Sequence, residues 1–161
     1  MADDNQRSSD EGFDKASKPT PMVLSINICD TVIRDEMTKK ISLIGLFSAI
    51  RTHNFPCTHN QIYVYVALTE GHGKYKTEIR FLEADNETPI AGIAGELDFA
   101  SPLHVAELNT CWQQLCFPRP GQYIVQVLCD NQFVGSRRFM VIDSSQDQPE
   151  STEANENYEE D

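Results

Sequence analysis

The chain has 161 residues, enough to bury a core in one domain without disulfide or metal support. Its net charge of −12 belongs to its ends: residues 1–21 carry five acids and three bases, residues 143–161 eight acids and no base, and residues 22–142 twelve acids and ten bases. A middle this close to neutral argues against the basic face that phosphate contacts need, so nucleic acid is not an expected partner.

Both ends are poor in aliphatic residues, with Phe13 and Tyr158 their only aromatics. Such composition buries too little apolar area to offset the entropy of ordering, so 1–21 and 143–161 are expected to be disordered tails around a domain at 22–142. The acidic tail would also repel anionic membrane, although tails of this kind commonly serve solubility. No stretch has the apolar length of a signal peptide or a membrane span. The five cysteines (Cys29, Cys57, Cys111, Cys116 and Cys129) then read as reduced thiols, and the expected location is the cytoplasm.

In chain order, VLSINICD (23–30) alternates, with Leu24, Ile26 and Ile28 on one face, and predicts a half-buried strand. TVIRDEMTKK (31–40) reads either as a helical turn or as a long connection. ISLIGLFSAIR (41–51) is apolar on both faces, which suits a strand buried on both sides with a bulge at Gly45; a short helix has the same period. THNFPCTHN (52–60) reads as a loop. QIYVYVALT (61–69) and YKTEIRFLE (75–83) alternate cleanly and predict an antiparallel pair joined by a glycine-rich turn at 70–74. IAGIAGELDF (90–99) is a weaker strand. Ser101-Pro102 suits the start of one helical turn, and LHVAELNTCWQQLCF reads as mostly extended with Leu115 and Phe117 inward. Pro120-Gly121 suits a type II turn, and Asp130-Asn131 a tight hairpin between the last two strands. About eight strands with almost no helical period describe an all-β, antiparallel β-sandwich.

Two resemblances follow from these segments. Gly121-x-Tyr123-x-Val125 is similar to the tyrosine corner of immunoglobulin-like sandwiches, but Val125 stands where the second cysteine would be, so the resemblance implies the architecture without the disulfide. ICDTVIRDEMTKKISLIGLFSAI, NFP, YVYVALTEGHGKYKTEIRF, LCFPRPGQYIVQV and FVGSRRFMV together, over roughly residues 26–142, resemble a family of small bacterial proteins known as a domain of unknown function. That resemblance implies a bacterial cytoplasmic β-sandwich and assigns no activity, cofactor or functional residue.

Candidate chemistry is sparse. His53, Cys57 and His59 place imidazole and thiol ligands in one predicted loop, the beginning of a zinc site that would need His72, His104 or Cys111 as a fourth ligand. The plainer reading is a polar loop with a packed thiol. Cys111 and Cys116, five apart on a strand, point to opposite faces and do not suit a disulfide. No nucleophile elbow occurs, and GHG (71–73) joins two strands and opens no helix. Arg137, Arg138, Arg80 and Lys76 form either a basic patch or cross-strand pairs with Glu78 and Glu96. Tyr63, Tyr65 and Trp112 are candidate binding residues, because aromatics on an outer face offer large area at low entropy cost; the alternative is that another element covers them.

The leading expectation is a non-enzymatic module that binds another protein or a copy of itself through a sheet face or edge, with no cofactor. The alternatives are a small metal-dependent or hydrolytic enzyme using His53, Cys57, His59 or His104, and a structural component of a larger assembly.

Overall fold

The computed structural model describes residues 18–146. Nine strands follow one another: β1 (Met22–Arg34), β2 (Ile41–Leu46), β3 (Ala49–Thr52), β4 (Cys57–Thr69), β5 (Gly73–Glu83), β6 (Pro89–Phe99), β7 (Ala106–Phe117), β8 (Gly121–Cys129) and β9 (Gln132–Asp143). A 3-10 turn at Ser144–Gln146 closes them. The disorder expected for residues 1–17 and 147–161 lies outside the described residues. Among the described residues no helix is long and apolar enough to cross a membrane.

The strands form two sheets, β2-β1-β4-β7 and β3-β9-β8-β5-β6. Every pairing is antiparallel except β3 with β9, which run parallel, so the wholly antiparallel expectation is corrected at one edge. Alternation in β4 and β5 translates directly into burial: Ile62, Val64, Val66, Leu68, Tyr75, Thr77, Ile79 and Phe81 are each at most 4% exposed. The two strands nevertheless do not pair, against expectation; they lie in different sheets. Alternation fixes which side of a strand is apolar, not which strand lies beside it. The link between them passes over the Phe99 ring, which fills the place where a Cβ on Gly71 would stand. A side chain there would collide with the ring.

The segment 41–51 is also not one strand buried on both faces. Gly45, at φ +68°, stands where a Cβ would strike Asp30, and the chain then leaves the first sheet. Phe47 N donates to the Ile28 carbonyl at 3.2 Å, while Met140 N donates to the Ser48 carbonyl at 2.9 Å. One step therefore carries the chain from β2, a largely exposed edge, to β3 beside β9. This division is why nine strands stand where eight were expected. The ambiguous segment 31–40 resolves into the end of β1 and a turn in which Asp35 Oδ1 accepts from Met37 N and Thr38 N at 3.1 and 2.6 Å.

Side chains from both sheets share one core. Phe117 of β7 meets Tyr123 and Phe139 of the second sheet at centroid distances of 5.0 and 5.8 Å, and Phe81 meets Trp112 at 5.0 Å. Such edge-on pairs add about 0.5–1.5 kcal/mol each beyond their buried area. Arg137 bridges the sheets from β9, donating to the carbonyls of Ile26 and Phe47 at 3.0 and 3.2 Å. Residues 18–21, placed in the tail by composition, are seated on the domain. Lys18 pairs with Asp130 at 3.1 Å and lies 3.7 Å over the Tyr75 ring, whose hydroxyl donates to the Pro19 carbonyl at 2.6 Å.

Candidate functional site

The outer face of the first sheet can be read row by row from its pairings. Cys29, Tyr63 and Cys111 form one row, Asn27, Tyr65 and Asn109 the next, and Ser25, Ala67 and Glu107 the third. Met22 lies opposite Thr69 at the end. Tyr63 and Tyr65 thus stand on the outer face as expected, both half-buried.

They are engaged within the molecule. The Tyr65 hydroxyl donates to Glu107 Oε1 at 2.7 Å, and Arg34 holds Glu107 Oε2 at 3.2 Å. Arg34 ends β1 in the β1–β2 hairpin, so this ion pair brings the hairpin over the tyrosine rows. Burial, and then the carboxylate beside it, push the Tyr65 phenol up to about 12. The hydrogen bond with Cys111 likewise holds the Tyr63 phenol above its ordinary range.

Trp112 does not join them. It lies opposite Ile62, on the core side of β7, and its Nε1 donates to Thr110 Oγ1 at 2.9 Å. Alternation counted from the inward Leu115 would turn Trp112 outward. Gln114, at φ +52°, breaks that count, and the strand changes parity there. The three aromatics therefore do not form one surface.

His53, Cys57 and His59 do not share a loop, because β4 already begins at Cys57. Cys57 lies in the core opposite Phe117, and burial pushes its thiol up, favouring the neutral form over the thiolate that binds metal. The His59 ring stacks on Phe47 at 6.1 Å, with its Nδ1 enclosed and unpartnered, and His53 is exposed. His104 packs edge-on to Phe99 near the opposite end of β4, where the hydroxyl of Thr69 donates to its carbonyl at 3.4 Å. Among the described residues, no cluster of three or more His, Cys, Asp or Glu could hold a metal ion. The basic residues are dispersed too: Arg80 pairs with Glu78 of its own strand at 2.5 Å, Lys74 with Glu96 at 2.8 Å, and Arg137 turns inward.

What composition and alternation miss is a set of exposed apolar side chains around the Thr69 end of β4. A bulge between Val23 and Ser25 turns Leu24 out of the core, leaving it 50% exposed, while Val23 packs inward. Met22, opposite Thr69, is 45% exposed, and Val105, next along β7's line, is 44% exposed. Leu103 is 92% exposed in the turn whose Pro102 carbonyl accepts from Glu70 N at 2.9 Å. Only the run Pro102-Leu103-His104-Val105, with apolar residues at a turn, hints at this in the sequence. The hairpin adds Ile33, Ile44 and Leu46 on one of its own faces, each about half exposed.

Residues 24–142 match the Family of unknown function (DUF6941). The chain belongs to that family. No curated protein matches this DUF6941 member. Among solved structures, it is similar to the Pseudomonas fluorescens alkylpurine DNA glycosylase AlkC at 12% identity and a TM-score of 0.43, over 78% of this chain and 31% of that one. It is similar to an immunoglobulin-like protein of Pseudomonas aeruginosa at 9% identity and a TM-score of 0.39, over 78% of this chain and 99% of that one. A β-glucosidase of Kluyveromyces marxianus gives 13% identity and a TM-score of 0.38, over 66% of this chain and 16% of that one. The DUF6941 chain thus spans less than a third of the glycosylase chain.

Proposed function

We propose that this chain is a non-enzymatic, immunoglobulin-like β-sandwich that binds another protein, or a second copy of itself, through the outer face of its first sheet. The sandwich reading is supported by the strand order. β4 and β7 adjoin in one sheet and β5, β8 and β9 in the other, with Tyr123 at the start of β8 donating to the Arg119 carbonyl four residues upstream at 2.7 Å. A reducing cytoplasm suits the five unpaired thiols, three of them buried.

The observation that carries the binding reading is the exposure of four large apolar side chains, Met22, Leu24, Leu103 and Val105, around the Thr69 end of the first sheet, each at least 44% exposed. Apolar side chains gathered in one place on a surface mark interaction sites, whereas single ones do not. Tyr65 ties this face to the β1–β2 hairpin through Glu107, which Arg34 also holds.

The test is a double substitution, Leu103→Glu with Val105→Glu. Both side chains are exposed, so stability should change by no more than about 0.5 kcal/mol per site. Affinity purification at native expression level, with sedimentation of the pure protein alongside, should show the partner or the self-association lost. An unchanged partner set together with unchanged mass would remove the proposal.

A further inference from the structure

The four sheet edges of this fold are not equally protected. An edge strand offers unpaired backbone N–H and C=O groups to any extended chain, and proteins blunt it by shortness, charge, proline or a bulge. β2 is six residues long with Gly45 at φ +68°, β3 is four residues long, and β7 is broken at Gln114, at φ +52°. β6 is eleven residues long and, among the described residues, pairs only with β5; its proline and its bulge are confined to its start, at Pro89 and between Pro89 and Ala91, and the rest of the edge is regular. From Ile90 to Gly95 it carries neither charge nor proline, and Ile93 is 44% exposed. Beside it lies an apolar groove of about 110 Å³ between β6 and β7, lined by Thr77, Ile79, Ile93, Ala94, Leu108 and Thr110.

We infer that β6 is a self-pairing edge: a second copy of this chain adds its own β6 antiparallel to the first, joining two five-stranded sheets into one across a two-fold axis. This rests on the interaction-module reading above and names a partner for a different surface. Self-pairing is singled out by charge. In any antiparallel register centred between Ile93 and Gly95, Glu96 faces a residue between Ile90 and Ala94, and Asp98 one between Thr88 and Gly92. None of these is charged, so no like charges oppose across the new pair. Lys74 already holds Glu96 from the neighbouring strand at 2.8 Å. A register centred on Ile93 sets the two Ile93 side chains together at the mouths of the two grooves, and Gly92 and Gly95 leave the second backbone free to approach. A two-fold axis across an edge yields antiparallel pairing, and closed two-fold dimers are the commonest assemblies.

The experiment is sedimentation of the full chain across a concentration series, beside Ile93→Lys and Gly95→Lys. A Cβ at Gly95 meets no atom within 4 Å, so that variant should fold even if Ile93→Lys does not. The expected result is a particle of twice the 18.2 kDa chain mass, with either lysine weakening association at least about tenfold. Amide exchange of Ile90–Gly95 should slow as the dimer forms. A monomer at every concentration overturns the inference, leaving the outer-face proposal to its own test. A dimer that survives both lysines but is lost with Leu103→Glu and Val105→Glu also overturns it, and moves self-association to the outer face.

Discussion

Tyr65 shows how one side chain serves the candidate face without being its contact surface. Its hydroxyl reaches a carboxylate that also holds Arg34, so phenol, acid and guanidinium fasten the β1–β2 hairpin to the sheet. The shift of that phenol to about 12 fixes a direction for stability against pH. A tyrosine in the unfolded chain loses its proton near pH 10, while this one keeps it to about 12. Its contribution is therefore fully present below pH 10 and is lost as pH rises through the folded value. Urea unfolding midpoints of the native chain should fall more steeply between pH 9 and roughly pH 11.5 than those of Tyr65→Phe. Parallel slopes would show that the hairpin is held by other contacts.

Among the elements, the turn from Phe117 into β8 carries the most local information. Tyr123 is 1% exposed, with its ring against Phe117 at 5.0 Å and its hydroxyl on the Arg119 carbonyl. Removing only that hydroxyl by Tyr123→Phe should cost about 1 kcal/mol in denaturant unfolding and leave the strands intact. A loss below about 0.3 kcal/mol would mean that the corner is set by packing alone. Gly121-x-Tyr123 made this corner readable in advance, as plain alternation made β4 from Gln61 onward, β5 and β8 readable, because in each the side chains themselves state which way they face. Strand partnership was not readable in the same way. Nothing in 61–69 or 75–83 says that Gly71 sends the chain past Phe99 to the opposite sheet, or that Phe47 and Ser48 bond to different sheets. Two misplacements at the candidate site share one cause, a backbone that loses count: the bulge beside Leu24 turned that residue outward, and the positive φ at Gln114 turned Trp112 inward. Cys57 differs, because β4 simply starts earlier than its alternation does, and the thiol is packed as its plainer reading had it. Such slips leave no mark in composition.

For the whole molecule, the five thiols give a direct check on the packing. Cys111 and Cys116 are exposed, whereas Cys29, Cys57 and Cys129 are buried and pushed above the ordinary thiol range, first of all by that burial. A thiol-reactive chromophore at pH 8 should modify two groups quickly in the native protein and all five in guanidinium. Three or more fast thiols would show that the two sheets do not close as described. The seating of Lys18 beside Asp130, and the end of β9 at Asp143, have a further consequence for how the chain passes through its own domain. It enters at the end where Asp130 turns into β9 and leaves at the other end of that strand. A strand of this length separates the two points by about 36 Å. Met22 lies opposite Thr69 at the entry end, with Leu103 and Val105 in the segment that bonds to Thr69 there, while Asp143 ends β9 at the exit. Among the described residues the two ends of β9 therefore differ in kind, with exposed apolar side chains near the end where the chain comes in and a carboxylate that accepts from Ser145 where the strand stops. With entry and exit at opposite ends of β9, such units could be joined end to end without the connecting chain doubling back along the domain.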